Sequence, residues 1–245
     1  MYKLLRTIVW ISYLFIYMLL RMPYSWRMRS LEKQGREAER QALIEREVAL
    51  WAQRLLRRVK ITVEVQGAEN LPPPGEVVVY ASNHQSFLDI PVLLDVIDPP
   101  QPLLARKEIG QVPLLGFWMR KLGCVFVDRD DTRAAMTALK DAEKVLERGR
   151  GLIVFPEGTR SKGEKPLGDF QPGVVRIAWK GGARIVPVLI EGTYKGLEGN
   201  GNRIQPAEVT VRFLPPVETR GLDRAQQKAL PSQLRQLVAE AKGEA

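Results

Sequence analysis

The chain has 245 residues, 45% of them hydrophobic, and is long enough for one well-packed domain with an appendage. Its single cysteine, Cys124, and single histidine, His84, exclude an internal disulfide framework and any zinc site built from several cysteines or histidines. The net charge of +9 is uneven: residues 1–60 carry 13 Lys and Arg against 5 Asp and Glu, a balance of +8, and residues 61–245 carry the remaining +1.

The first predicted element is an N-terminal helix in which residues 7–20 are uncharged. Spanning a bilayer core of about 30 Å needs roughly 20 apolar residues, so the uncharged run is short for a span. Positive charge lies on both sides of it, at Lys3 and Arg6 and again from Arg21 onward, and gives no orientation. We therefore expect this helix to dip into one leaflet rather than cross the bilayer.

A second helix is predicted after Ser30, whose hydroxyl suits an N-cap. Apolar residues then recur at three- and four-residue spacing, with arginines near them. The apolar stripe is Ile44, Val48, Trp51, Leu55 and Val59, and the arginines are Arg40, Arg46, Arg54, Arg57 and Arg58. The pattern is typical of a helix lying among anionic headgroups, or of a stripe packed on the body of the protein. Residues 1–60 are thus predicted to be a two-helix membrane-binding segment, with a lipid surface and no nucleic acid as partner.

Residues 61–245 are predicted to form an α/β domain, because short apolar segments alternate with helical patterns. The strand-like segments are ITVEVQG, EVVVYAS, PLLARK, GCVFVDR, GLIVFPEG, RIVPVLIEG and EVTVRFLPP. The helical patterns cover residues 86–97, 114–122, 132–148 and 173–180, and a last run, 222–245, is expected to break near Pro231. Near-continuous apolar strands indicate a mostly buried central sheet covered by helices on both faces.

The only histidine stands where the second of these strands ends, and Asp89 follows it five residues later. Ser86 and Asp89 have the spacing of a capping box, which predicts a helix beginning at Ser86 with His84 in the turn before it. His84 could then fold back on the Asp89 carboxylate, which would leave Nε2 free to accept a proton. The alternative is a plain helix cap beside a structural histidine.

A base at His84 needs a hydroxyl to deprotonate. Ser82 and Ser86 are near in sequence and would suit a serine hydrolase, but the chain has no G-x-S-x-G motif. The base can instead activate a hydroxyl that the substrate brings.

The segment FPEGTRS at residues 155–161 suggests an anionic substrate group. Gly158 permits close backbone approach, and hydroxyl and cationic side chains follow it, namely Thr159, Arg160, Ser161 and Lys162. A guanidinium can bind phosphate or carboxylate with two parallel hydrogen bonds. Arg129 and Lys107 follow other strands and could reach the same edge, although Glu157 could equally pair with Arg160.

Together these segments resemble the glycerophospholipid acyltransferases. NHQSFLD at 83–89 is similar to the family's NHx4D motif, GCVFVDR at 123–129 to its second block, FPEGTRS to its third, and IVPVLI at 185–190 to its fourth. ARKEIGQVPLLG at 105–116 resembles the lysine-bearing stretch between the first two blocks. The likeness covers about residues 75–192 and is greatest to the bacterial 1-acylglycerol-3-phosphate acyltransferases.

The resemblance implies transfer of an acyl chain from acyl-CoA or acyl carrier protein to the free hydroxyl of lysophosphatidate, forming phosphatidate. By that likeness His84 is the general base and Asp89 orients it. The predicted substrate-binding residues are Lys107, Arg129, Glu157, Gly158, Thr159 and Arg160.

No metal or cofactor is expected. The enzyme is expected at the cytoplasmic face of the cell membrane, peripheral or monotopic through its N-terminal helices. Another acyl acceptor, a serine lipid hydrolase and a non-catalytic membrane protein are the alternatives.

Overall fold

The computed structural model describes residues 2–73, 75–161 and 166–244, so Lys162 lies outside the described residues. The helices are α1 Tyr2–Leu20, α2 Tyr24–Lys33, α3 Glu37–Val59, α4 Asp89–Val96, α5 Lys107–Gln111, α6 Leu115–Leu122, α7 Thr132–Glu147, α8 Gly173–Lys180, α9 Thr193–Gly196 and α10 Arg224–Lys242. The strands are β1 Ile61–Gln66, β2 Val78–Ser82, β3 Leu104–Arg106, β4 Val125–Val127, β5 Leu152–Val154, β6 Arg184–Glu191 and β7 Ala207–Phe213. All seven segments predicted to be strands contain one.

The central sheet is mixed and has the strand order β1-β7-β6-β2-β5. Only β6 and β7 pair antiparallel among its described neighbours; the other pairs are parallel. The pair β3-β4 forms a second parallel sheet that continues from the edge of the first, because Leu103 bridges to Ile153 of β5. The carboxyl ends of β2, β5, β3 and β4 therefore point the same way, toward the edge where the predicted site residues follow.

Helices cover both faces of the sheet, as predicted. Along β2, Val78 and Tyr80 join a hydrophobic cluster with α1 to α4 and α6, whereas Val79 and Ala81 join a second cluster with α7, α8 and α10. The alternation follows from the two-residue period of a strand. The fold class is the expected α/β arrangement.

The N-terminal part consists of a bent helical run, α1 with α2, followed by the long helix α3. The run Leu4–Lys33 is long and apolar enough to cross a membrane, judged by length and composition only. Ser30 lies within α2 and does not begin a helix, contrary to the prediction. Instead, Gly35 with a φ of +68° ends α2, and the Arg36 amide bonds back to Leu31 in the manner of a Schellman cap.

The apolar stripe of α3 packs on the body rather than facing headgroups. Ile44, Leu55 and Val59 are at most 1% exposed and lie in the cluster that includes α4 and the sheet. The arginines Arg46, Arg54, Arg57 and Arg58 are exposed, and two of them, Arg54 and Arg58, lie over the Tyr17 and Tyr13 rings of α1. The division at residue 60, between α3 and β1, therefore separates two parts that share one core.

The C-terminal helix runs unbroken through Pro231, contrary to the expected break. A proline inside a helix removes one backbone hydrogen bond. Here a capping box formed by Asp223 and Gln226 stabilises the first turn, and Leu234 and Val238 are fully buried against the sheet. Burial of this face offsets the lost bond and keeps the helix continuous.

Candidate active site

The candidate site begins where β2 ends, and Asn83 determines how the chain leaves the sheet. Its side-chain amide donates to the Ile190 carbonyl at 2.9 Å, and its Oδ1 accepts from the Ile190 N–H at 2.7 Å. This pair of bonds extends the contact with β6 past the last β2 residue and directs the next residue, His84, away from the sheet. Asn83 is the first residue of the NHQSFLD segment but is not among the site residues predicted from the sequence.

The His84 ring lies against the Asp89 carboxylate, with 2.7 Å between Nδ1 and Oδ2. The same Oδ2 accepts the amides of Gln85 at 2.7 Å and Ser86 at 2.9 Å, and the Asp89 side chain is fully buried. The carboxylate is therefore immobile and favours a proton on Nδ1, which makes Nε2 the acceptor. No hydrogen bond to Nε2 is formed by the described residues, and the His84 side chain is 15% exposed.

The helix after this turn starts later than the capping-box spacing predicts. It begins at Asp89, with Leu88 as the N-cap. One half of the predicted box is present, since the Ser86 amide donates to the Asp89 side chain. The Ser86 hydroxyl accepts the Leu88 amide at 3.0 Å rather than the Asp89 amide, and it donates to Glu198 at 2.5 Å. The hydroxyl therefore has one local and one long-range partner.

Phe155, directly after β5, packs flat on the histidine. The two ring centroids are 4.0 Å apart with an interplanar angle of 20°. The hydrogen bond to Asp89 and this stacking together restrict rotation of the imidazole ring. Phe155 of the third sequence block thus helps to orient His84 of the first block.

The turn after Phe155 also holds the backbone of His84 from both sides. Glu157 Oε1 accepts the His84 N–H at 2.8 Å, while the amide and hydroxyl of Ser161 donate to the His84 carbonyl at 2.7 Å and 3.0 Å. We call these contacts the His84 clamp. The sequence predicts Ser161 as a donor to an anionic substrate group, whereas its partner in the structure is the His84 carbonyl, 77 residues away in the chain.

Glu157 is engaged by backbone amides through both carboxylate oxygens, since Oε2 accepts the Gly168 N–H at 2.9 Å. Burial raises the pKa of this carboxyl, and the two amide hydrogen bonds oppose the increase. Because backbone amides occupy both carboxylate oxygens, the geometry favours Glu157 as a residue that positions His84. Its predicted contact with substrate stays a prediction.

Arg160 pairs with Glu198 rather than with Glu157. Its Nη1 lies 2.8 Å from Glu198 Oε1, and its guanidinium carbon lies 3.7 Å from the centre of the Phe87 ring. Thr159, beside it, is exposed. Arg160 of the third block is therefore held next to Phe87, which follows His84 in the first block.

Arg129 and Gly158 meet at the same turn. Gly158 has a φ of +72°, and a Cβ built there would lie 3.4 Å from Arg129 Nη1. A Cβ there would be in ordinary van der Waals contact with the guanidinium, so it is the positive φ that favours glycine at this position. Burial and the nearby Arg106 lower the pKa of Arg129.

Lys107 starts α5 and forms an ion pair with Asp128, the residue before Arg129. This hydrogen bond raises the pKa of Lys107. The lysine therefore contacts the residue that follows β4, and the described contacts do not join it directly to His84 or Arg160. The described residues include no group of three His, Cys, Asp or Glu arranged for a metal ion.

Two pockets adjoin the turn between His84 and α4. The first, the apolar cavity, has a volume of about 110 Å³ and is lined by Met18, Trp51, Phe87, Ile90, Leu94 and Trp118, among others. The second, the α1 cleft, has a volume of about 860 Å³ and joins apolar residues of α1 to Thr159, Arg160 and Ser161. Phe87 and Ile90 line both. Apolar and polar side chains therefore lie together along the α1 cleft, beside the His84 turn.

Neither nearby serine is placed as a nucleophile. Ser82 is fully buried, and its hydroxyl donates to the Asn83 carbonyl at 2.9 Å. The Ser86 hydroxyl is bound by Glu198. A serine hydrolase requires a hydroxyl hydrogen-bonded to the base, so this alternative has no support in the geometry.

Comparison with known proteins identifies the family. The profile of the Acyltransferase family matches residues 62–191, just over half of the chain, and this segment contains the His84 turn and the His84 clamp. The chain belongs to the Acyltransferase family. The resemblance found in the four sequence blocks is thereby confirmed.

Three relatives of this acyltransferase share about a third of its residues over the aligned segment. They are the 1-acyl-sn-glycerol-3-phosphate acyltransferase of Chlamydomonas reinhardtii (36% identity, 63% of this chain, 47% of the relative), that of Saccharomyces cerevisiae (34%, 67% and 54%) and a probable one from Mycoplasma pneumoniae (31%, 61% and 56%). The chain spans about half the length of these relatives.

The acyltransferase fold is also similar over nearly its whole length to a crystal structure. The 1-acyl-sn-glycerophosphate (LPA) acyltransferase PlsC of Thermotoga maritima is 27% identical, with a TM-score of 0.79 over 98% of this chain and 96% of that one. The similarity includes the N-terminal helices, which the sequence blocks do not cover.

Proposed function

We propose that this acyltransferase transfers an acyl chain from a thioester, acyl-CoA or acyl-acyl-carrier-protein, to the free hydroxyl of 1-acylglycerol-3-phosphate and forms phosphatidate. The observation that carries the proposal is the 2.7 Å contact between His84 and Asp89, held by the same turn that presents Arg160. The names of the relatives and of the Thermotoga maritima protein support the acceptor class.

In the proposed reaction His84 Nε2 removes the proton of the acceptor hydroxyl while that oxygen attacks the thioester carbonyl. The tetrahedral intermediate then expels the thiolate, which takes the proton back from the imidazolium. Asp89 stabilises the imidazolium and maintains the tautomer. No bond between enzyme and acyl group is needed, in agreement with the positions of Ser82 and Ser86.

The negative oxygen of the intermediate needs hydrogen-bond donors, each worth about 10²–10³ in rate. In the turn after Phe155, the Gly158 amide bonds to the Phe155 carbonyl and the Ser161 amide to the His84 carbonyl. Within the described part of the chain, the amides of Thr159 and Arg160 are not engaged in this way. We assign the oxyanion site to these two amides.

Acceptor binding is proposed to use the cations around Gly158. Arg160 belongs to this turn and Arg129 approaches it from the segment after β4, so a phosphate there would be bound by guanidinium groups. The α1 cleft extends from Arg160 to the apolar side of α1, where the acceptor's acyl chain would lie. Moving such a chain into water costs about 0.8 kcal/mol per CH₂, so a site that opens beside the bilayer avoids that cost.

Membrane association is proposed to occur through α1 and the turn after it. The apolar side chains exposed on α1 are Leu4, Leu5, Ile8, Val9, Ile11, Ile16, Leu19 and Leu20, and Trp26 is exposed in the first turn of α2. Exposed arginines on α3 lie on the same N-terminal part and suit an anionic lipid surface. The proposed location is the cytoplasmic face of the cell membrane, with α1 in one leaflet.

The test is an acyl-transfer assay with purified protein, in which labelled acyl-CoA and acyl-acyl-carrier-protein are each offered with lysophosphatidate, another lysophospholipid or glycerol 3-phosphate. We expect labelled phosphatidate from the wild type and a loss of about 10²–10⁴ in rate in His84→Ala. Faster transfer to another acceptor would overturn the assigned substrate. Release of free fatty acid without an acceptor would indicate a hydrolase.

A further inference from the structure

Glu198 lies at the centre of the polar contacts around Arg160, although no motif in the sequence points to it. It begins the short 3₁₀ turn Glu198–Asn200 that follows α9, and its side chain is 16% exposed. The residue lies outside the matched family segment 62–191 and outside the four sequence blocks. Its carboxylate nevertheless faces the α1 cleft together with Arg160.

Three donors from two distant segments converge on this carboxylate. Oε1 accepts from Arg160 Nη1 at 2.8 Å and from the Phe87 amide at 3.0 Å, and Oε2 accepts from the Ser86 hydroxyl at 2.5 Å. Ser86 and Phe87 belong to the turn between His84 and Asp89. Glu198 therefore fixes the arginine of the third block relative to the turn of the first.

The same geometry leaves part of the guanidinium available. The Phe87 ring covers one face of the guanidinium at 3.7 Å, and Glu198 accepts a hydrogen bond from Nη1 only. An arginine has five N–H donors, so the remaining ones on Nε and Nη2 can bind an anion in the α1 cleft. The Arg160 side chain is 36% exposed, enough for a ligand to reach it.

We propose that Glu198 is a positioning residue, which holds the Arg160 guanidinium in the orientation that binds the acceptor phosphate and does not itself contact the acceptor. The inference rests on the proposed function. Arginine is flexible, and fixing it in advance removes an entropy cost from phosphate binding. The opposite role, in which Glu198 occupies the phosphate position and must be displaced, predicts tighter acceptor binding when the carboxylate is removed.

The first experiment compares the wild type with Glu198→Ala and Glu198→Gln, using lysophosphatidate in detergent and acyl-CoA. We expect Glu198→Ala to raise the KM for lysophosphatidate about 10- to 100-fold, with little change in kcat or in the KM for acyl-CoA. Glu198→Gln retains an oxygen for Phe87 and Arg160 and should show a smaller increase. An unchanged or lowered KM in both variants would overturn the proposal.

The second experiment tests whether the effect passes through Arg160. In an Arg160→Ala background, Glu198→Ala or Glu198→Gln should add less than about threefold to the KM, because its partner is already absent. Fully additive increases would overturn the positioning role. Phosphate-free 1-acylglycerol, added as inhibitor, should bind Glu198→Gln and the wild type equally; weaker binding to the variant would indicate general damage to the cleft and contradict the proposal.

Glu147→Ala is the matched control, because Glu147 is an exposed glutamate at the end of α7. Its KM values should equal those of the wild type. Failure of the proposed function would be visible separately, since the wild type would then produce no phosphatidate from lysophosphatidate. If Glu198→Ala does not fold, as judged by thermal unfolding, the comparison of Glu198→Gln in the two backgrounds decides the question.

Discussion

His84 is restrained by contacts of three kinds: the Asp89 carboxylate at Nδ1, the Phe155 ring on its face and the clamp on its backbone. A histidine held in this way loses little freedom when the substrate arrives. Its reactivity then depends on which nitrogen carries the proton, and Asp89 determines that.

We predict that Asp89→Asn lowers kcat by about 10²–10⁴, because an amide at this position can donate to Nδ1 and so shift the proton to Nε2. Asp95→Asn is the control, since Asp95 lies on the same helix and is only half-buried. Steady-state kinetics with lysophosphatidate and acyl-CoA measure both. A normally folded Asp89→Asn that keeps more than a tenth of the wild-type kcat would remove Asp89 from the mechanism.

Cys124 provides a second prediction about a single residue. Burial raises the pKa of its thiol to about 12, and the sulfur accepts the Leu103 amide at 3.3 Å. Since only the thiolate is nucleophilic, we expect no reaction with a disulfide reagent at pH 8 in the folded protein and one thiol per chain after denaturation. Rapid labelling of the native protein would show that the β3-β4 edge opens.

Among the elements, the turn after β5 has the greatest influence on the site. It provides the Phe155 ring, the Glu157 carboxylate and the Ser161 donors, all directed at the end of β2. The parallel pairing of β2 with β5 places these two chain exits side by side. The third block is therefore as much a support for the histidine as a candidate binding site.

Ser161→Ala should lower kcat about tenfold, because the His84 carbonyl loses one of its two donors from this residue. The matched control is Thr137→Ala, in which an exposed hydroxyl on α7 that also bonds to a backbone carbonyl is removed. Thermal unfolding should shift little in either variant. Equal activity of Ser161→Ala and the wild type would show that the clamp does not limit the reaction.

In the molecule as a whole, the N-terminal helices pack on the core with one side and present the proposed membrane-binding face with the other. The buried side of α3 belongs to the core, so deletion of residues 1–60 would expose the cluster that holds Ile44 and Leu55. Loss of activity after such a deletion would therefore not separate membrane binding from folding. Substitutions on the outer face of α1 do separate them.

We expect the triple variant Leu5→Ser, Ile16→Ser, Leu20→Ser to bind anionic phosphatidylglycerol vesicles more than tenfold less tightly, because these side chains are 53–70% exposed and each contributes about 1.5–3 kcal/mol on full burial. Activity on a short-chain, water-soluble acceptor should be unaffected. Vesicle sedimentation provides the affinity, and Leu237→Ser on α10 is the control, since Leu237 is 39% exposed. Unchanged vesicle binding would refute the role of α1.

Much of this arrangement could be read from local patterns. Strand segments and the two-faced sheet follow from apolar periodicity, and the spacing of His84 and Asp89 placed both in one turn, where they indeed meet. Helix ends were predicted less accurately. Ser30 lies inside α2, which Gly35 ends, and the Ser86 hydroxyl bonds to Leu88 and Glu198 and does not cap α4, which begins at Asp89. Local propensities are weak compared with tertiary contacts.

Contacts between distant segments left no signal in the chain. Ser86 and Glu198 are 112 residues apart and His84 and Ser161 are 77 apart, yet both pairs are hydrogen-bonded at the site. The sequence likewise does not decide whether the apolar stripe of α3 faces lipid headgroups or the protein core, because its periodicity suits either partner. The sequence by itself determines features that depend on neighbouring residues, such as strand periodicity and the pairing of His84 with Asp89. The partner of a buried carboxylate or of an apolar helix face depends on which distant segments the sheet order brings together.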